Sequence, residues 1–156
     1  MTVRYAEDLR VGETTPLGSF LLTRAELITF AERWDPQDFH VDPVAAAAGR
    51  FGDVIASGVQ TLAIFQRLSV LAAEANWAVI AGTRLLDVQF PRPVRPDSTL
   101  SGGVRVDSVE FDPDRRRALV VKAGWLHDDD GRVLEIRSEA LVRCRPEPGT
   151  PSLTRE

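Results

Sequence analysis

The sequence predicts an α+β fold in which an antiparallel β-sheet wraps around one long central helix. Helix signals occupy the first half of the chain, whereas alternating apolar and polar residues occupy most of the second half. Between them lies a run from Val59 to Ala75 whose apolar residues cover most faces of a helix. Such a helix must be covered on most sides, and consecutive antiparallel strands can provide that cover.

The length of the chain limits the number of domains. With 156 residues, of which 44% are hydrophobic, it corresponds to about one globular domain. We assign that domain to residues 1–145. The remaining segment, 146–156, is rich in proline and polar residues, so we expect a flexible tail.

The first predicted helix covers residues 24–34. Thr23 and Glu26 form the pattern of a capping box, in which each side chain bonds the other residue's backbone amide. Apolar residues then recur at helical spacing up to Trp34. Pro36 disfavours a helical conformation at Asp35, so the helix should end there and residues 35–42 should form a loop.

Two more helices are predicted before the strands begin. Asp42 is suited to cap a short helix that starts at Pro43 and ends at Gly49. Ser57 is suited to cap the long helix, which should run to about Ala75. Polar residues recur every seven positions along this helix, so they share one stripe, and we expect only this stripe to face water or a partner. The residues of the stripe are Gln60, Arg67 and Glu74.

The strand predictions rest on a change of period from 3.6 to two. Residues 134–143 alternate between a mostly apolar and a mostly polar series, as in a half-buried strand, and weaker β patterns cover about 82–90, 99–110 and 117–127. Turn residues at 112–114 and 128–131 separate the later strands. We therefore expect an antiparallel meander in which consecutive strands are neighbours.

Composition argues against several classes of protein. The net charge is −4 and the basic residues are scattered, so nucleic acid is not an expected partner. One cysteine and two histidines are too few for a structural zinc site, and we expect no metal. Polar residues interrupt the longest apolar run, which argues against a membrane span. The N-terminal residues lack the pattern of a signal peptide, so we expect a cytoplasmic protein.

Two stretches carry the residues most suited to chemistry. The segment from Asp35 to His40 concentrates carboxylates and one of the histidines, although Asp35 could simply end a helix and His40 be an ordinary polar residue. Ser57 and Gly58 lie at the start of the long helix, where free amides and the helix dipole favour negative charge. Capping by Ser57 and close packing at Gly58 are the structural alternatives.

Two other stretches have simpler interpretations. The proline-rich segment from Phe90 to Leu100 is typical of a stiffened connection at a sheet edge. His127 stands beside three aspartates, which could suggest a cation site, but a hairpin turn ending in Asp-Gly explains the pattern better. Asp42 is explained by its cap and needs no catalytic role.

Three segments together resemble the MaoC-like dehydratases and (R)-specific enoyl-CoA hydratases of the hot-dog superfamily. The first runs from Phe30 to Pro43 and contains Asp35 and His40, five residues apart. The second, 51–58, leads into the central helix and ends in Ser57-Gly58. The third, 90–100, is a phenylalanine-proline stretch followed by a turn in which Asp97 and Ser98 stand where the family has glycine and aspartate.

The resemblance implies a hot-dog fold and a hydratase site. Asp35 and His40 would be the catalytic pair that activates one water, and the Gly58 amide would bind the oxyanion. Ser57 and Gln37 would belong to the substrate-binding surroundings, although the family usually has histidine and asparagine at these positions. Some members also carry a serine where this chain has Gln66.

The resemblance also implies a reaction and an assembly. The substrate would be a trans-2-enoyl-CoA thioester, the product a (R)-3-hydroxyacyl-CoA, and no cofactor would be needed. A homodimer, or a higher oligomer of dimers, would bring the central helices side by side. Two other functions remain open, namely an acyl-CoA thioesterase that uses Asp35 without His40, and a non-catalytic module that binds acyl thioesters.

Overall fold

The computed structural model describes residues 2–147, in which four α-helices and five β-strands are assigned. The residues of the predicted tail from 148 onward lie outside this range. A 3₁₀ turn, Ala6–Asp8, precedes the first strand, and a π-helical turn, Val70–Glu74, extends the last helix. The helices are α1 (Arg24–Trp34), α2 (Asp38–Val41), α3 (Pro43–Ala48) and α4 (Gly58–Ser69). The strands are β1 (Thr14–Leu22), β2 (Val79–Gln89), β3 (Ser98–Asp112), β4 (Arg117–Asp128) and β5 (Gly131–Arg143).

The five strands form one antiparallel sheet with the order β1-β3-β4-β5-β2. The predicted meander is confirmed for β3, β4 and β5. It is wrong for β2, which pairs with β5 at the opposite edge instead of with β3. β1 was not predicted from the sequence, because Pro16 and Gly18 interrupt its pattern. Pro16 is compatible with this position because β1 is an edge strand, where one side of the backbone is unpaired.

The central helix packs its buried face into the curve of the sheet. Ile64, Phe65 and Leu68 are buried in the main hydrophobic core. Gly124 on β4 makes room for the Phe65 ring, because a Cβ atom at Gly124 would lie 2.2 Å from that ring. The sheet therefore follows the helix closely at this point, which confirms the predicted α+β arrangement.

The helix boundaries follow the predicted caps, with one correction. Thr23 and Glu26 form the capping box of α1. Asp42 accepts hydrogen bonds from the first amides of α3, and Ser57 accepts one from Val59 in α4. Residues 35–42 are not entirely a loop, because Asp38–Val41 form one helical turn. A turn this short contains too few residues for an apolar period to reveal it.

The predicted polar stripe of the central helix does not face water. Gln60 is buried, and its side-chain amide donates to the Glu26 carbonyl on α1. The Glu74 side chain is 8% exposed and forms an ion pair with Lys122 of β4. Only Arg67 of the three predicted residues is exposed. The prediction failed because the other two side chains turn toward polar groups on α1 and β4, although the Gln60 Oε1 atom has no hydrogen-bond partner among the described residues.

An apolar surface of α4 and the following π turn is exposed instead. Val59, Val70 and Leu71 are 58%, 42% and 59% exposed. Apolar side chains of the edge strand β2 are also exposed, namely Ile80, Leu85 and Leu86. Within residues 2–147, no helix is both long and apolar enough to cross a bilayer.

Candidate active site

The three segments that carry the predicted site residues meet at the N-terminal end of α4. The irregular segment 51–57 passes between α2 and the connection that links β2 to β3. On one side the Ile55 amide donates to the Phe39 carbonyl at 3.0 Å, and on the other the Ala56 amide donates to the Val94 carbonyl at 2.9 Å. These backbone bonds fix Ser57 and Gly58 beside α2, where His40 is located.

Asp35 and His40 lie side by side, as the resemblance implies. Asp35 follows the last residue of α1, and the single turn of α2 brings His40 back toward it. The His40 Nε2 atom is 3.3 Å from the Asp35 Oδ2 atom. The His40 side chain is 6% exposed and that of Asp35 24%, so the pair lies at the boundary between the core and solvent.

A backbone carbonyl sets the tautomer of His40. The His40 Nδ1 atom lies 2.6 Å from the Ile55 carbonyl oxygen, which can only accept a hydrogen bond. Nδ1 therefore carries the proton, and in the neutral ring Nε2 is the basic atom. The atom that can exchange a proton is thus the one that faces Asp35.

Two side-chain donors hold the Asp35 carboxylate. The Ser57 hydroxyl donates to Oδ2 at 2.7 Å, and the Gln37 side-chain amide donates to Oδ1 at 2.8 Å. The hydrogen bond from Ser57, then that from Gln37, and to a lesser extent the charge of His40, lower the pKa of Asp35. Asp35 is therefore kept ionised, and it can accept hydrogen bonds but has no proton to give.

Ser57 connects the carboxylate to the start of the central helix. Its side chain is fully buried. The hydroxyl oxygen accepts a hydrogen bond from the Val59 amide, and the hydroxyl group donates one to Asp35. The Gly58 amide belongs to the first turn of α4, and no hydrogen bond occupies it within residues 2–147. Amides in this position point out of the helix and favour negative charge.

A cavity of about 260 Å³ opens beside these groups, and both His40 and Gly58 line it. The Phe90 ring covers Gly58 closely, since a Cβ atom at position 58 would lie 2.9 Å from the ring. Much of the remaining wall is apolar and includes Phe51, Ile55, Val94 and Val133. The cavity is therefore largely apolar, and its lining includes the His40 ring and the residue whose amide is free, Gly58.

The model of the MaoC-like domain matches residues 10–124, which include every predicted site residue. The chain belongs to the MaoC-like domain family. This MaoC-like domain is 36% identical to an uncharacterized protein of Bacillus subtilis over 137 residues, covering 88% of the chain and 97% of the relative.

Two further similarities concern the reaction class and the fold. The 3-hydroxyacyl-thioester dehydratase Z of Mycobacterium tuberculosis is 41% identical over 75 residues, which is 47% of this chain and 50% of that protein. The crystal structure of the MaoC-like dehydratase from Rhodospirillum rubrum superposes with a TM-score of 0.80 at 29% identity, covering 92% of this chain and 99% of that one. The predicted hot-dog fold is thereby confirmed.

The structure changes the interpretation of the proline-rich segment. The stretch after β2 was predicted to be a stiffened connection, but residues from Phe90 to Val94 also form one wall of the cavity. These residues belong to the third segment of the family resemblance, but their spacing along the sequence does not predict that they lie beside Gly58. Val133 on β5 was missed entirely, because a single valine in a strand carries no functional pattern.

The remaining candidates have structural roles. Asp128 at the end of β4 accepts hydrogen bonds from the Asp130 and Gly131 amides, which confirms the hairpin turn beside His127. No group of three or more potential metal-binding side chains is assembled among the described residues. Asp38 starts the turn of α2 and is exposed.

Proposed function

We propose that this MaoC-like domain is a hydratase that adds water to trans-2-enoyl-CoA and gives (R)-3-hydroxyacyl-CoA. The observation that carries the proposal is the placement of the His40 Nε2 atom 3.3 Å from an ionised carboxylate, beside a cavity that the Gly58 amide also lines. Hydration of an enoyl thioester requires a base for water, a proton for C2 and a donor for the enolate oxygen. The site contains a suitable group for each requirement.

His40 supplies the base and the acid. Its Nε2 atom accepts a proton from water as the water oxygen bonds to C3, and the imidazolium then returns that proton to C2. Histidine suits both steps because its usual pKa is about 6.5. Asp35 accepts a hydrogen bond from the same water and stabilises the imidazolium, which its low pKa permits.

The start of α4 stabilises the intermediate. During the addition, negative charge moves to the thioester oxygen, which would accept a hydrogen bond from the Gly58 amide. A preorganised donor of this type contributes about 10² to 10³ in rate, because the charge develops in a dry pocket. The buried Ser57 and the covering Phe90 ring hold this end of the helix in place.

The proposal is tested by turnover with a panel of trans-2-enoyl-CoA esters. Loss of the conjugated double bond is followed by absorbance, and release of free CoA is followed with a thiol reagent in the same samples. We expect hydration without thiol release, and a loss of about 10² to 10⁴ in kcat for His40→Ala. Asp35→Asn should also lose activity, because an amide cannot stabilise the imidazolium.

The outcome separates the alternatives. Thiol release that depends on Asp35 but not on His40 would identify a thioesterase. Tight binding of the esters without either reaction would identify a binding module. Asp42→Asn is the matched control for Asp35→Asn, because Asp42 is a nearby aspartate whose carboxylate only caps α3.

We further propose that two copies of the chain assemble through β2 and α4. The edge strand β2 has unpaired backbone groups along one side and exposes Leu85, while α4 exposes Val59 and the π turn exposes Leu71. A single groove joins the two surfaces, with Val70 on one wall and Leu85 on the other. Edge strands and large apolar patches of this kind are normally covered by a partner.

Leu85→Lys tests this assembly. We expect the unchanged chain to have the mass of a dimer by light scattering after size exclusion, and the variant to have that of a monomer. Phe111→Lys is the control, because Phe111 is a similarly exposed side chain on β3, away from β2. A monomeric unchanged chain, or a dimeric Leu85→Lys variant, would contradict the proposal.

A further inference from the structure

An ion pair outside the cavity connects α1 to the irregular segment 51–57. The Arg24 guanidinium donates to both carboxylate oxygens of Asp53, with Nη1 to Oδ1 and Nη2 to Oδ2 each at 2.7 Å. This paired geometry fixes the direction of the carboxylate as well as its distance. The same contact is the main cause that lowers the pKa of Asp53 to about 2, so the carboxylate is charged at neutral pH. Neither residue is among those that line the cavity.

Arg24 is itself held by a second segment. Its backbone amide, in the first turn of α1, donates to the Asp97 Oδ1 atom at 3.1 Å. Asp97 directly precedes β3 and has a φ of 60°, a left-handed conformation that favours glycine. The aspartate side chain at this position satisfies one of the amides that a helix leaves free at its start. Arg24 thus links the two stretches, 51–57 and 90–97, that contribute walls of the cavity.

Asp53 lies two residues before Ile55, whose backbone sets the tautomer of His40. The Ile55 amide donates to the Phe39 carbonyl at 3.0 Å, and the Ile55 carbonyl oxygen faces the His40 Nδ1 atom at 2.6 Å. A displacement of the segment therefore changes the Nδ1 contact directly. Without that acceptor the ring proton can move to Nε2, and the basic nitrogen no longer faces Asp35.

The segment is anchored differently on the two sides of Ile55. After Ile55, the Ala56 amide donates to a backbone carbonyl of the opposite cavity wall at 2.9 Å. Before Ile55, the Val54 side chain is fully buried, but apolar contacts are not directional. The paired hydrogen bonds between Arg24 and Asp53 supply a directional contact on this side, two residues from the carbonyl that matters.

We propose that Arg24 is a positioning residue for His40. Through Asp53 it holds the Ile55 carbonyl against Nδ1, and this keeps the proton off Nε2. The inference rests on the proposed function, since it takes His40 as the base that activates water. Because Arg24 acts through these residues from outside the cavity, its loss lowers kcat and leaves KM nearly unchanged.

Steady-state kinetics with a trans-2-enoyl-CoA ester test this role. We expect Arg24→Ala to lose about tenfold in kcat, which is less than the loss of about 10² that a 1 Å displacement of reacting groups can cause. Arg24→Lys should have an intermediate kcat, because an ammonium group restores the charge but cannot form the paired contact. A rise in KM with an unchanged kcat would contradict the proposed role.

Arg4→Ala is the matched control for the kinetics. Arg4 makes the same paired contact with Glu13, at 2.7 Å to each carboxylate oxygen. It lies beside Trp77, which follows the C-terminal end of the central helix, so its loss does not affect the segment before Ser57. A loss of kcat in Arg24→Ala that is no larger than in Arg4→Ala overturns the inference.

The tautomer of His40 is a second readout, and it does not require turnover. The nitrogen chemical shifts of the neutral ring show whether Nδ1 or Nε2 carries the proton. The chain has two histidines, and His127 is exposed on β4, so His127→Gln leaves the signals of His40 alone. We expect the Nδ1-protonated form to dominate in this background, and a mixture of both forms once Arg24→Ala is added. An unchanged tautomer would overturn the inference.

Asp53→Asn repeats the measurement with the smallest change of shape. The asparagine oxygen can still accept the Val54 amide, as Asp53 does at 2.7 Å, but the paired contact with Arg24 is lost. We expect the same change of tautomer with unchanged thermal unfolding, and an unchanged tautomer would again contradict the inference. If the protein hydrated no enoyl thioester, the proposed function would fail, whereas a change of tautomer in both variants would still support the positioning of His40 by Arg24.

Discussion

The two ends of the central helix differ in whether their polar groups have hydrogen-bonding partners within the chain. At the N-terminal end the Gly58 amide has no partner within residues 2–147, and the basic nitrogen of His40 lies beside a cavity. At the C-terminal end the Lys122 ammonium contacts Glu74 at 2.5 Å, and the Ser69 hydroxyl donates to the same carboxylate oxygen at 2.6 Å. One end keeps hydrogen-bonding capacity available, and the other uses it internally.

The difference shows why neither buried charge nor cavity size identifies the reactive end. The cavity at the C-terminal end is the larger one, at about 600 Å³, and it is lined by both Glu74 and Lys122. Those charges neutralise each other across a short contact and hold the π turn against β4. The cavity at the N-terminal end is less than half that size, but the polar groups around it are free to meet a substrate.

The largest expected effect comes from breaking the ion pair between Lys122 and Glu74 at the C-terminal end of the central helix. Lys122→Met leaves the Glu74 carboxylate buried without its cation, which should cost about 3 to 5 kcal/mol of unfolding free energy. Urea unfolding measures this cost. Adding Glu74→Gln to Lys122→Met removes the unpaired charge, so the double variant should recover at least half of the loss. A cost below about 1 kcal/mol for Lys122→Met would show that the ion pair with Glu74 contributes little to stability.

The next largest effect is expected at the N-terminal end of the central helix, where Gly58 lies under the Phe90 ring. Gly58→Ala places a methyl group against the Phe90 ring, which must move away from its position over the helix terminus. A displacement of about 1 Å at the reacting groups can reduce kcat by about 10². Stability should change little because Phe90 is 47% exposed and its ring can turn outward. Steady-state kinetics and thermal unfolding of the same variant test both statements, and an unchanged kcat would refute the proposed role of this contact.

A smaller effect separates the two helix caps. Ser57→Ala removes both the cap of α4 and a buried hydrogen bond to Asp35, so it should cost about 2 kcal/mol and also reduce activity. Asp42→Ala removes only the cap of α3, so it should cost about 1 kcal/mol and leave activity unchanged. Equal losses of activity in the two variants would show that Ser57 acts only as a cap.

The smallest effect is on the titration of Asp35. The hydrogen bond from Ser57 lowers its pKa most and that from Gln37 comes second, so Ser57→Ala should raise the pKa more than Gln37→Leu does. The chemical shift of the Asp35 carboxyl carbon reports this pKa, and Asp35→Asn assigns the signal. A higher pKa in Gln37→Leu than in Ser57→Ala would reverse the order of the two donors.

The same shift links Asp35 to stability. Its pKa is lower in the folded state than in the unfolded one, so the contribution to stability is present above the unfolded value of about 4. It is lost as the pH falls through the lower folded pKa. The stability difference between Ser57→Ala and the unchanged chain should therefore become smaller in acid.

Local signals predicted the parts of the molecule that depend on near neighbours. The caps at Thr23, Asp42 and Ser57 were predicted because each side chain bonds an amide two or three residues away. The exposure of the polar stripe was predicted wrongly, because Glu74 forms an ion pair with Lys122 on a strand far along the chain. The pairing of β2 with β5 was not predicted because consecutive strands are not always neighbours, and no local sequence pattern indicates which strands pair.

The candidate site was predictable only in part for the same reason. The resemblance related Asp35 to His40 and both to Gly58, and the structure brings these residues together. The roles of Ser57 and Gln37 as donors to Asp35 could not be predicted from the sequence, because their side-chain directions depend on the three-dimensional arrangement of α1, α2 and α4. The position of Phe90 over Gly58 could not be predicted, because it depends on the pairing of β2 with β5 at the far edge of the sheet.

The pairing of β1 with β3 has a consequence for the order of folding. β1 precedes all four α-helices in the sequence, yet its partner strand begins only at Ser98. Closing so long a loop costs chain entropy before any contact compensates it, and proteins rich in such distant contacts fold slowly. The hairpins of β3, β4 and β5 need only short turns. We expect these hairpins to form first and the N-terminal strand to dock late, as the slow step of folding.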